Sequence, residues 1–491
     1  MHTASVSRSR HELDGTIRML LADLLFVPTG LLAAAFLTRQ LGPDGYGRLT
    51  LAATLAAWAE WMILSAFAQA TIKFVGEAHD WRPAGAATLR VQVVSASGGA
   101  LALWLLAGAI ARLLNEPALV TYLRLFALGI PAVALAAVHR QILIGRGDFT
   151  QGALVTAARW TSRLLLMVLL VELGLSVSGA ILGTIGSSLI EAAIARLYVR
   201  PSFLSVFTFP VRRLWAYALP LFLFALSARV FSNLDLLLLK MLGGTAAQAG
   251  IYGAAQNLAM LPLFVVLPLN PLLLSALSRT RRETGEGAAR DIIGNAMRGV
   301  IGLLPFVCVI VGAAPEIVRF VFGSNFLPVA PLLSVLIFGA LARSVVIIST
   351  TMMTEAGKPA WTSALSVPLV PLAIAGHLWS IPRWGALGAS FVTAVLSVLA
   401  ALAGIIVVHR LWGLLPRAAT VLRALVLCVP AYSMAAVWPT PGALLFVKLP
   451  AIGLLVLLGF LVLGEFSGSE IALARSLLSR RALSQPKPGE A

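Results

Sequence analysis

The sequence predicts an all-α protein that crosses a lipid bilayer about fourteen times, as two pseudo-symmetric six-helix lobes followed by two further helices. Three observations carry this. Apolar residues are 59% and charged residues 12% of the 491, with a mean hydropathy of +0.92, whereas a soluble domain places about a quarter of its residues in Asp, Glu, Lys and Arg. The apolar residues gather into runs long enough to span a bilayer. Short glycine-containing phrases also recur at offsets near 205–212 residues.

The elements follow from a ruler of about 20 apolar residues per membrane helix. Spans are expected near 17–38, 49–69, 87–111, 118–142, 152–171, 175–198, 214–240, 249–276, 289–311, 326–350, 359–380, 384–408, 417–437 and 443–464. Polar Met1–Gly15 leads into an apolar run, Met19–Leu37, that is too long for the core of a signal peptide. It reads as an uncleaved first span. The phrase Leu41-Gly42 followed by Tyr46-Gly47 is answered by Leu242-Gly243 followed by Tyr252-Gly253. Gly145-Arg146-Gly147 is answered by Gly357-Lys358-Pro359, and Gly179–Gly183 by Gly385–Gly388. Six helices per repeat is an even number, so both copies have one orientation. The expected division is a first lobe over 1–208, a second over 209–410, two extra helices over 411–466 and a polar tail over 467–491.

Charge tests this count. With fourteen spans the loops on the side of the termini collect 24 Lys and Arg, and the opposite loops collect 7. The positive-inside rule then puts both termini in the cytoplasm. The formal charge of +17 is scattered in small groups between apolar runs, which is the pattern of cytoplasmic loops and not of a nucleic-acid surface. Cys308 and Cys428 stand alone inside apolar runs and form neither a metal motif nor an expected disulfide.

The phrase Arg39-Gln40-Leu41-Gly42-Pro43-Asp44-Gly45-Tyr46-Gly47 resembles the first-loop motif of bacterial polysaccharide-biosynthesis membrane proteins. These are lipid-linked oligosaccharide flippases (O-antigen flippases among them) of the multidrug/oligosaccharidyl-lipid/polysaccharide exporter superfamily. Four later stretches are similar to that family in order and spacing: Asp235–Gly243, Ala249–Asn257, Phe322–Phe326 with Ala330-Pro331, and Ile381–Ala389. The resemblance implies two six-helix lobes around a central cavity and a bacterial inner-membrane location. It also implies a lipid-linked oligosaccharide as substrate without fixing which glycan, since family members carry different ones; a polysaccharide polymerase or ligase is a candidate partner, and no cofactor or metal is expected.

Six basic residues fall inside spans: Arg124, Arg159, Arg163, Arg229, Arg298 and Arg343. An Arg at mid-span costs about 2.5–3.5 kcal/mol on insertion scales, so it faces a cavity or a partner. Arg159 and Arg163 share one helix face, and Arg229 shares a face with Ser232 and Asn233. A guanidinium is a planar fork that meets two phosphate oxygens at once. The substrate-binding candidates are therefore Arg159, Arg163, Arg229 and Arg343 for a diphosphate, with Asn233, Gln256 and Asn257 for sugar hydroxyls. The competing interpretation is that these arginines neutralise the intramembrane acids Asp23, Glu60, Glu191 and Asp235, while Arg124 and Arg298 reach the interface from helix ends. Asp23 and Asp235, in the first span of each repeat, are the candidates for coupling to a proton or sodium ion.

No Walker A, His-Glu-x-x-His or nucleophile-elbow sequence occurs, and no catalytic residue is assigned. A drug exporter of the same superfamily and a membrane transferase acting on lipid-linked sugars are the alternatives to a flippase. Arginines outnumbering acids argue against cationic drugs, and short outer loops argue against a transferase.

Overall fold

The computed structural model describes residues 15, 17–203, 212, 233–267, 273, 277, 286–356, 358–440, 442–468, 470 and 472. Among the described residues all regular structure is helical. The N-terminal half contains α1 (Phe26–Glu77), α2 (Trp81–Leu113), α3 (Leu119–Gly145), α4 (Phe149–Leu170) and α5 (Ser176–Tyr198). The C-terminal half contains α6 (Ala246–Ala259), α7 (Leu261–Val266), α8 (Glu286–Gly302), α9 (Leu304–Gly312), α10 (Ala314–Val321), α11 (Val329–Glu355), α12 (Pro359–Ser366) and α13 (Leu369–Trp412). The chain continues through α14 (Ala418–Val437) and α15 (Leu445–Val462).

Ten helical stretches are long and apolar enough to cross a membrane. Three of them, Ile17–Glu77, Phe149–Tyr198 and Ala364–Trp412, run to 61, 50 and 49 residues, more than twice the roughly 20 that one crossing needs. Each is divided by a glycine of positive φ, at Gly42, Gly174 and Gly385. The expected span 214–240 is described only from Asn233 onward. The sequence leaves Arg39–Arg48 as a loop, but the structure keeps it helical on both sides of Gly42. Pro43 opens the new arm, where a missing N–H costs nothing.

The internal repeat is visible in the backbone. Six of the residues with positive φ form pairs across the repeat, Gly42 with Gly243, Asn115 with Gly323, and Gly174 with Gly385, separated by 201, 208 and 211 positions. All six lie at the end of the bundle opposite the start of the first helix, hereafter the far face. On the near face, α2 starts with a local cap. The Asp80 side chain accepts from the Arg82 N–H at 3.1 Å. On the far face, Thr245 and Gln248 form a reciprocal capping box ahead of α6.

Helices α1 to α5 pack on one another, with α4 on α5 and α2 on α3 as the most extensive pairs. In the C-terminal half α11 packs along α13 and α6 against α11, while α14 packs on α9 and α15. Large apolar side chains such as Leu105, Leu169, Val429 and Val462 stay more than half exposed. Lipid tails solvate such residues as well as a protein core does, so no force drives them inward.

The halves meet chiefly through α1 against α6. A side chain on Gly47 would overlap the Ala246 carbonyl, and one on Gly250 would overlap the Pro43 carbonyl. Here backbone touches backbone. Around this seam Asn257 Nδ2 donates to the Tyr46 hydroxyl at 2.9 Å, and the Arg39 guanidinium donates to the Phe320 carbonyl. Glu116 accepts from Arg48 Nε at 2.9 Å and from Lys240 Nζ at 3.1 Å, joining the two halves by charge. The far face is thus closed.

On the near face Glu465 accepts from Thr420 and Arg423, both at 2.7 Å, and lies 3.4 Å from Arg298 Nε. Arg298 also donates to Glu470 at 2.7 Å. This ties the segment after α15 to α8 and α14. The Arg298 hydrogen bond, helped by the Ser467 N–H, holds the Glu470 carboxyl down to about 2 from its ordinary 4.5.

Two tests follow from these contacts. A methyl group at Gly250 must part the arms, at a cost of about 1–3 kcal/mol typical of overpacking. Spin labels at Arg112 and Ser324 should therefore report a longer far-face distance in Gly250→Ala than in the unmutated protein, and an unchanged distance would refute the seam. For Glu470 the folded value is depressed, so its contribution is complete above 4.5 and vanishes as pH falls through about 2. The stability difference between wild type and Glu470→Gln, no more than about 1 kcal/mol at this exposed site, should shrink to zero over that window in denaturation measured in micelles.

Candidate functional site

Two polar clusters lie at membrane depth. The first is built by α1, α3, α4 and α5. Arg159 arises midway along α4, and Arg163 lies one turn further on. Both guanidiniums lie over the ring of Trp160, at 5.1 and 5.7 Å from its centroid, within the reach of a cation–π contact. Glu191 of α5 is 1% exposed and is shared between two arginines. Its Oε2 lies 3.3 Å from Arg159 Nε, and its Oε1 accepts from Arg140 of α3. Asp23 lies within electrostatic reach of Arg140 and Arg159, and Glu60 within reach of Arg159 and Arg163.

This arrangement modifies the cationic cavity expected from sequence. Three guanidiniums face three carboxylates, so the cluster is close to charge balance. Arg163 is the exception in hydrogen bonding: its Nε is buried without a hydrogen-bond partner among the described residues. A buried N–H of a charged group left unmade is costly, and it marks a place where an acceptor fits. Beside it, Phe26 packs on Trp160 at 4.8 Å between centroids and on Phe264 of α7 at 6.0 Å. An aromatic bridge therefore joins the halves next to the charges.

The second cluster centres on Asp235, which is 2% exposed. Its carboxylate accepts from the Tyr252 hydroxyl at 2.7 Å, from Thr393 Oγ1 at 2.9 Å and from Gln256 Nε2 at 3.1 Å. The Leu236 N–H adds a fourth donor at 2.8 Å. Arg343 of α11 and His377 of α13 lie within electrostatic reach. Arg343 Nε and His377 Nδ1 are both buried without a partner. Every hydrogen-bond neighbour presents a donor to the carboxyl group.

The remaining candidates divide. Gln256 serves Asp235 and Asn257 serves the seam with Tyr46, so both amides are engaged inside the protein. Asn233 is half-buried. Asp23, unlike Asp235, is exposed. Arg229 and Ser232 lie outside the described residues. Arg124 stacks on Trp104 at 5.4 Å and Arg298 pairs with acids on the near face, as helix-end residues do.

Sequence reasoning missed Arg140, counted with a loop, along with Tyr252, Thr393 and His377. A place two residues inside the fourth span was the available signal for Arg140. Thr393 has none, since its role comes from α13 lying across from Asp235.

A family described as polysaccharide biosynthesis proteins matches residues 36–331, more than half of the chain. No curated relative matches. Among solved structures the fold is similar to a lipid II flippase, MurJ, in an inward closed conformation. That likeness has TM-score 0.73 and 13% identity, and covers 94% of this chain and 100% of the other. It is also similar to an inward-facing multidrug resistance MATE family transporter of the MOP superfamily, at TM-score 0.58 and 15% identity, over 84% and 94% of the two chains. A MOP superfamily transporter from Pyrococcus furiosus matches at TM-score 0.56 and 14% identity, over 81% and 95%. At these identities the structures establish a shared fold. Together with the family match over residues 36–331, they establish that this multi-pass membrane chain belongs to the polysaccharide biosynthesis protein family.

Proposed function

We propose that the protein is a flippase that carries a polyprenyl-diphosphate-linked oligosaccharide from the cytoplasmic to the outer leaflet of a bacterial inner membrane. The near face and both termini are cytoplasmic in this reading, as the loop charges favour. The two halves act as lobes that rock about the charged clusters. Family membership supports the glycan, and the buried, unpartnered Nε of Arg163 beside Arg159 is the observation that carries the site.

The barrier to unaided passage is the cost of taking sugar hydroxyls and phosphate into hydrocarbon without hydrogen bonds, several kcal/mol for each group. A polar path between the halves removes it while the lipid tail remains in the bilayer. The diphosphate competes with Glu191 for the forks of Arg140 and Arg159 and fills the vacant donor of Arg163. Bidentate guanidinium–phosphate contacts are strong enough to displace a monodentate carboxylate pair. Return of Glu191 to the arginines then favours release on the other side. An anion moving outward gains about 2.3 kcal/mol per charge per 100 mV if it crosses the whole field.

Asp235 is the better coupling residue of the two candidate acids, because its environment is built and Asp23 is exposed. A proton there turns an acceptor into a donor, so either the Tyr252 or Thr393 hydroxyl must rotate to accept it or the Gln256 amide must turn away. That loosens the tie between α6 and α13. A polymerase or ligase would receive the exported glycan.

Export of cationic drugs is the second reading. It is favoured by Asp23, Glu60 and Glu191 standing at the depth of the arginines.

Leaflet exchange of a labelled polyprenyl-diphosphate sugar in proteoliposomes separates the two. Wild type should exchange it, and Arg163→Ala or the double variant Arg159→Ala, Arg163→Ala should be at least tenfold slower while remaining folded. Efflux of a cationic dye without sugar exchange would establish the drug-exporter reading instead. Asp235→Asn should retain exchange but lose its response to an imposed proton or sodium gradient; an unaltered response would remove Asp235 from coupling. Glu191→Ala removes the buried acid that two half-buried guanidiniums share and should cost about 3–5 kcal/mol of stability, read as a lowered unfolding midpoint in detergent.

A further inference from the structure

A cavity of about 570 Å³ opens at the far face, inside the range of about 300–1,000 Å³ typical of small-molecule sites. It is assembled from three distant parts of the chain. Arg39 comes from α1, Glu316, Arg319 and Phe320 from α10, and the remaining wall from the turn between α14 and α15. It is separate from both membrane-depth clusters.

Its charge is one-sided. Glu316 accepts from Lys448 Nζ at 2.8 and 3.0 Å and from Thr440 Oγ1 at 3.2 Å. The Lys448 side chain is fully buried behind it, so the one acid of the cavity is neutralised from within. Arg39 uses one N–H on the Phe320 carbonyl, leaving four of its five donors. Arg319 is exposed, and its guanidinium has no hydrogen bond or ion pair among the described residues. Two guanidiniums therefore face a concave space with no free acid, and a concave wall of low dielectric concentrates their field. Phe320 adds an aromatic surface, held edge-on by Phe446 at 5.2 Å between centroids.

Two forks for an anion, an aromatic wall for C–H groups and a hydroxyl at Thr440 match one ligand chemistry. We propose that this cavity binds an acidic saccharide, a sugar bearing a carboxylate or a phosphate, at the far face. That this face is the outer one rests on the flippase reading above; the binding itself does not. Because Arg39 belongs to one half and Arg319 to the other, the site is complete only when the far face is closed. A bound acidic sugar stabilises that closed state, so exported acidic product on the outside slows further opening.

Calorimetry on the full-length protein in nanodiscs of neutral lipid tests the proposal without transport. Glucuronate and glucose 6-phosphate should bind, and glucose should bind at least tenfold more weakly. Arg319→Ala, an exposed change, and Arg39→Ala should each weaken glucuronate at least tenfold, whereas Lys358→Ala on the near face should not. Inorganic phosphate binding as tightly as glucose 6-phosphate would overturn the sugar site in favour of a bare anion site. Glucuronate binding that is absent in neutral discs, with Arg319-dependent capture of phosphatidylglycerol in mixed discs, would overturn it in favour of a lipid headgroup. Equal binding of glucose and glucuronate, or none by wild type, would also refute it. A protein inactive in leaflet exchange but positive here would sink the flippase reading alone.

Discussion

The contact between the backbones of α1 and α6 is the constraint on which the arrangement of the two halves depends. Gly47 and Gly250 let two helices come so near that a carbonyl of each occupies the space of a missing side chain. In a bilayer there is no hydrophobic force between helices, since lipid is as apolar as leucine, and close van der Waals approach of small residues takes its place. Such a contact is short-ranged and loses most of its strength over a small displacement. It is suited to a seam that closes fully or not at all. The charged links around it act at longer range: Glu116 with Arg48 and Lys240, and Arg39 with the Phe320 carbonyl.

The membrane-depth charges obey a different rule. Isolated arginines would be expensive in hydrocarbon, so the fold pairs them. Glu191 alone serves Arg140 and Arg159, from helices far apart in sequence but adjacent in the bundle. The pairing leaves the cluster near neutrality while keeping the guanidiniums oriented. Asp235 is treated similarly, by four hydrogen-bond donors among the described residues. Each half therefore carries one carboxyl group enclosed by donors. In each, a buried arginine Nε, that of Arg163 or Arg343, stands without a partner.

The far-face cavity and the near-face clamp frame these clusters. Arg298, Arg423, Glu465 and Glu470 fix the segment after α15 against α8 and α14. At the opposite end Glu316 and Lys448 fix α15 against α10. The last two helices are thus tied to the C-terminal half at both ends, and the second tie neutralises Glu316, the acid lining the far-face cavity.

Much of this was legible in the sequence. Hydropathy alone determined an all-helical membrane protein, because a bilayer admits no unpaired backbone and an apolar run of span length has only the helix available. The recurrence of Leu-Gly phrases announced the repeated left-handed turns, since only glycine adopts that backbone without penalty. The arginines were recognisable as costly and therefore purposeful. The acids that could neutralise them, Asp23, Glu60, Glu191 and Asp235, were nameable too, but not which acid meets which arginine. Spacing places Arg159 and Arg163 on one face of one helix, but it cannot show that Glu191 faces them or that Thr393 reaches Asp235. Nor can it show that Gln256 and Asn257 are consumed inside the protein. Those outcomes depend on the rotation and depth of one helix against another, which are fixed by side-chain packing between residues far apart in the chain. The sequence by itself determined the elements and the rule that their charges must be met; the tertiary structure decided which group meets which.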